Sequence, residues 1–100
     1  MGTAGMRDAM DAKIRDWERE LERLRVGFAA GPETVHTAHQ QAFVRLYQQK
    51  EILKSRWEAI RGVYQPAPDA VARFEQALAA METAWPETAP ALRAAVGAGK

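Results

Sequence analysis

Apolar residues fall at Met10, Ile14, Trp17, Leu21, Leu24 and Phe28, separated by steps of 4, 3, 4, 3 and 4. An α-helix with 3.6 residues per turn collects all six on one stripe, whereas a strand would throw them onto opposite faces. The intervening positions are charged, among them Asp11, Lys13, Arg15, Glu18, Glu22 and Arg25. One greasy seam on an otherwise hydrated rod must be buried against something similar. This pattern predicts a first helix over about residues 6–29. The segment from Met1 to Asp8 reaches charge within eight residues and has no apolar centre, so it reads as a short loose leader and not as a secretory signal.

Gly31-Pro32 follows, with glycine suited to a helix end and proline to the first turn of the next helix. Two such residues permit either a reversal or a bend, and a reversal is expected. The same 3- and 4-residue steps then run through His36, His39, Phe43, Leu46, Lys50, Leu53, Trp57, Ile60 and Tyr64, predicting a second helix over about residues 32–64. Lys50 interrupts this seam, so its ammonium must snorkel to water or meet a carboxylate. Gln65-Pro66-Ala67-Pro68 forms a stiff linker. Asp69 then reads as an N-cap, and Val71, Phe74, Leu78, Met81 and Trp85 define a third helix over about residues 70–85. Pro86 is expected to stop it, leaving a flexible C-terminal tail over about residues 87–100.

The fold class expected is all-α: an antiparallel, coiled-coil-like helical hairpin plus a shorter third helix, closing a three-helix bundle. A chain of 100 residues with 47% hydrophobic residues suffices for one core, hence a single helical domain over residues 1–100. No apolar run approaches the roughly 20 residues a membrane-spanning helix needs. The absence of cysteine excludes disulfides, thiolate nucleophiles and cysteine-ligated metals, and favours a cytoplasmic setting. A formal net charge of +1 gives no long-range field to gather nucleic acid, which is therefore a disfavoured partner.

Residues that could carry chemistry are few. Glu33, His36 and His39 recur every three residues near a helix start, and carboxylate and imidazole on adjacent turns can share a transition-metal ion. The bland alternative is that the two histidines line the rim of the turn. Arg45, Lys50, Lys54, Arg56 and Arg61 make the second helix modestly basic, but their spacing spreads them around the cylinder. The sole serine, Ser55, has no base nearby in sequence, Gly27, Gly31 and Gly62 are isolated, and Glu18 and Glu22 sit on a hydrated face. No catalytic apparatus and no cofactor are expected.

The run Asp16-Trp17-Glu18-Arg19-Glu20-Leu21-Glu22-Arg23-Leu24 and the later Leu53-Lys54-Ser55-Arg56-Trp57-Glu58-Ala59-Ile60-Arg61 resemble segments of small bacterial coiled-coil proteins, some labelled stress-response proteins. The resemblance covers about residues 10–63 and implies a noncatalytic role. The chain departs from that pattern at Gly31-Pro32 and in its third helix.

The expected function is that of a noncatalytic helical interaction or assembly module. A second helix about 48 Å long exceeds a first helix of about 36 Å, so part of it would lack cover within one chain. That mismatch predicts a homo-oligomer, a dimer or higher, or another protein partner, with Leu53, Trp57, Ile60 and Tyr64 near the contact. Two other functions are expected less: a metal-binding or metal-sensing protein using Glu33, His36 and His39, and a small regulator docking on nucleic acid or an enzyme through Arg56 and Arg61.

Overall fold

A computed structural model describes the backbone of residues 2–98 and the side chains of residues 5–97. Three helices succeed one another: α1 (Gly2–Ala30), α2 (Glu33–Arg61) and α3 (Pro68–Ala98). They lie side by side in an elongated all-α bundle of 48 × 24 × 18 Å. Gly31-Pro32 is a reversal and not a bend, because contacts between α1 and α2 run in opposite chain directions. Phe28 meets His36 near the turn, and Asp11 meets Arg61 at the far end.

The seam of α1 is buried over its whole length, from Met10 through Ile14, Trp17, Leu21 and Leu24 to Phe28. From α2 the core receives Leu46 and Leu53, with Phe43 and Trp57 half-buried against it, and from α3 it receives Met81, Ala89 and Leu92. Trp17 packs on Trp85 with ring centroids 6.2 Å apart, and Trp57 on Phe74 at 5.0 Å. Each tryptophan thus ties its helix to another, consistent with aromatic pairs adding modestly to the area they bury. The small Ala42, Ala77 and Ala84 also pack against the core, and α2 and α3 approach each other more closely than either approaches α1.

The helix limits differ from the sequence expectation in three places. The leader is helical from Gly2 onward, so α1 carries an extra turn. α2 ends at Arg61, where Gly62 takes the cap position, so Val63 and Tyr64 belong to the linker. The largest difference is α3, which begins at Pro68 and continues through Pro86 and Pro90 to Ala98. The third helix is therefore no shorter than the others, and the expected flexible tail is helix up to residue 98, residues 99–100 lying outside the described part. A proline inside a helix costs about 3 kcal/mol. Here both prolines are exposed, and the turns beyond them seat Ala89 and Leu92 in the core at 0% and 1% exposure. Burying a leucine contributes about 1.5–3 kcal/mol, so continued packing offsets part of the broken ladder. At the start of α3, Pro68 takes the first helical position, where its missing amide hydrogen costs nothing, and Val71 N–H donates to Ala67 O at 3.1 Å.

Candidate functional site: the groove between α1 and α2

Where α1 and α2 diverge, a groove of about 620 Å³ opens, lined by Asp11, Ile14, Arg15, Glu18, Lys54, Trp57, Glu58, Arg61 and Gly62. Its polar lining is a two-rung ladder. On α1, Asp11 and Glu18 stand one heptad apart and so share a face. Asp11 accepts hydrogen bonds from Trp57 Nε1 at 2.7 Å and from the guanidinium of Arg61 at 3.1 Å through Nε. Glu18 accepts from Lys54 Nζ at 3.0 Å and from Lys50 Nζ at 3.5 Å. The donors on α2 repeat at the same interval, Arg61 with Lys54 and Trp57 with Lys50, so one geometric relation occurs twice along the seam. Shifting α2 by one turn would break both rungs together.

Electrostatics in the groove follow from this pairing. The hydrogen bond from Arg61, helped by that from Trp57, holds the Asp11 carboxyl below its ordinary value of 3.8. The same contact raises Arg61, and the hydrogen bond to Glu18 raises Lys54. Lys50 is only 3% exposed, yet it meets Glu18, Glu51 at 2.6 Å and the ring of Tyr47 at 4.3 Å from the centroid. A buried ammonium needs such compensation. The sequence expectation that Lys50 would meet a carboxylate is met by two of them. Among the described residues, no buried side-chain nitrogen or oxygen lacks a hydrogen-bond partner. The groove therefore has a zwitterionic lining in which Asp11 pairs with Arg61 and Glu18 with Lys54, while Arg15 and Glu58 stand exposed at its rim without an ion-pair partner among the described residues.

The expected metal ligands lie at the α1–α2 turn. His36 and His39 both stack on Phe28, each 6.0 Å between centroids, with interplanar angles of 27° and 19°. His39 Nδ1 donates to the carbonyl of Val35 at 3.0 Å, and Glu33 and His36 are exposed. Among the described residues no group of three or more His, Cys, Asp or Glu side chains is placed to hold a metal ion. The imidazoles form an aromatic lid on the α1–α2 turn.

Of the expected contact residues, Leu53 is 0% exposed and Ile60 is buried in the bundle, while Trp57 is half-buried at the groove with its indole tied to Asp11. Only Tyr64, at 95% exposure, is free of the core. The physical reason is the length of α3, which supplies within the chain the cover that a shorter third helix would have left to a partner. Apolar surface appears elsewhere instead, on the side of α2 opposite the core, where Val44 and Ile52 are 40% and 51% exposed. Sequence reasoning missed this face because attention to the stronger seam hid a weaker one, in which Thr37, Gln41, Val44, Gln48, Ile52 and Ser55 recur at steps of 4, 3, 4, 4 and 3 without a charge. Among the described residues no helix is long and apolar enough to cross a membrane. No protein-family model, curated protein or solved structure matches this chain.

Proposed function

We propose that this chain is a noncatalytic helical interaction module that works through the outer face of α2. One observation carries the reading: the exposed Val44 and Ile52 lie on an uncharged stripe of α2 flanked by charged residues, while Asp11, Glu18, Lys54 and Arg61 of the α1–α2 groove pair with one another. Apolar groups gathered on one face of a rigid helix suit docking, since the helix is already ordered by its own core and loses little entropy on binding. The groove, by contrast, acts as a register lock between α1 and α2.

The test is photo-crosslinking in the cell that makes the protein. A photoreactive amino acid replacing Gln48 is expected to capture a defined protein adduct that the same replacement at Arg19, exposed on α1, does not capture. Equal or absent capture at the two positions would remove the outer face of α2 from consideration.

A further inference from the structure

We infer that the partner of this face is a second copy of the same chain, docked with the two α2 helices parallel, an inference that rests on the interaction-module reading above. The argument is one of charge placement. With Gln48 as the reference and about 100° per residue, Gln41 and Ser55 lie about 20° to either side and Val44 and Ile52 about 40°. The core residue Leu46 lies on the far side of the helix. Arg45 and Arg56 fall at about 60° and 80° on one flank of the stripe, and Glu51 and Glu58 at about 60° and 80° on the other. The face therefore has a neutral centre, a basic edge and an acidic edge, all carried on one helix.

Such a face has two self-complementary arrangements. A two-fold axis perpendicular to the helices makes them antiparallel and sets basic edge against basic edge. A two-fold axis along the helices makes them parallel and sets each basic edge against the acidic edge of the other copy, with Arg56 and Glu58 offset by only about 3 Å along the axis. Arg45, Arg56 and Glu58 take part in no ion pair among the described residues, so these charges remain available to a neighbour. Like charges facing across a contact oppose it and opposite charges fix its orientation, so the parallel arrangement is the favoured one. Val44, Gln48 and Ile52 then form the centre of the contact, and both bundles keep their cores intact.

The absence of cysteine in the natural sequence makes the test clean. The purified full chain is expected to sediment at twice its 11.1 kDa mass at high concentration. Gln41→Cys and Ser55→Cys should each form a disulfide-linked dimer on mild oxidation, because in the parallel arrangement each position faces itself. Antiparallel docking instead predicts that neither variant links alone, while an equimolar mixture of the two does, and that result overturns the orientation. Arg56→Glu should weaken the dimer at least tenfold, and adding Glu58→Arg in the same chain should restore it. Circular dichroism confirms that each variant still folds. A purified chain that stays monomeric at all concentrations, while position 48 still crosslinks to a different protein in cells, overturns self-docking and leaves the interaction module standing. No adduct in cells and no dimer in solution overturns both.

Discussion

Lys50 occupies a position where a helical seam ordinarily carries leucine, and its surroundings show how a charge survives there. Glu18 and Glu51 flank the ammonium and the ring of Tyr47 lies under it, while the methylene stem packs in the core. Lys50→Met keeps the volume of that stem and strands no charge, because Glu18 retains Lys54 and Glu51 is half-exposed. Replacing a buried ion by a well-packed apolar residue is often neutral or stabilising. Urea unfolding of Lys50→Met is therefore expected to give a stability within about 1 kcal/mol of the natural chain, or higher, whereas Lys50→Ala, which leaves a cavity, should cost about 2 kcal/mol or more. A loss above about 3 kcal/mol for Lys50→Met would mean that the ion pairs are net stabilising. Asp11 gives a second residue-scale expectation. Its carboxyl is held low by Arg61 and Trp57, so its contribution is present above the ordinary value of 3.8 and is lost as pH falls through its lower value in the folded chain. The thermal midpoint should therefore fall as pH drops below about 4, and Asp11→Asn should flatten that part of the pH profile relative to the natural chain. Unchanged profiles for the two proteins would show that the Asp11 rung contributes nothing.

Among the elements, α1 and the greater part of α2 are legible because their 3- and 4-residue steps continue throughout and the turn between them is marked by Gly31 and Pro32, whereas the stop at Gly62 was passed over because Tyr64 continues the same spacing. The far half of α3 was not legible from its prolines, which locally forbid what tertiary packing imposes. A signal was nonetheless there: Ala89, Leu92 and Val96 continue from Trp85 at steps of 4, 3 and 4, the same spacing that defines the seam before Pro86. Periodicity outranked a local breaker, because buried side chains on the far side of the break offset its cost. Leu92→Ala checks this directly. It should destabilise by about 2–4 kcal/mol if Leu92 sits in the core, whereas a leucine in a frayed tail would give almost no change. The ion-pair groove was half legible, since Asp11, Glu18 and the basic residues of α2 were visible but their meeting depended on the register. The stacking of His36 and His39 was hidden for a related reason: sequence spacing brings them to one side of a helix, but it does not show that Phe28 on the neighbouring helix packs against them. Gly27 is another such case, for a Cβ at that position would overlap the side chain of Val96. Gly27→Val should accordingly cost about 1–3 kcal/mol, and Val96→Ala in the same chain should recover part of that loss.

At the scale of the whole molecule, the three contacts between helices are unequal. α2 and α3 pack intimately, whereas α1 stands farther off on large side chains and is separated from α2 along one side by an open groove bridged by ion pairs. Ion pairs in water contribute little each, roughly 0–1 kcal/mol, and less as salt rises. Stability should therefore be distributed unevenly, with α1 the helix that opens first and the α2–α3 pair opening only with global unfolding. Native-state hydrogen exchange of the intact chain is expected to show amides in the middle of α1, around Trp17 to Leu24, exchanging through a smaller opening free energy than those around Leu46 to Leu53 and Leu78 to Met81. Raising the salt concentration should widen that gap, because it weakens the bridges across the groove while leaving the α2–α3 core untouched. If α1 instead exchanged with the same opening free energy as α3 at every salt concentration, the bundle would be a single cooperative unit and the groove would have no mechanical consequence. If α1 does open first, the outer face of α2 stays presented on a rigid two-helix platform while α1 moves, which an interaction surface built on α2 requires.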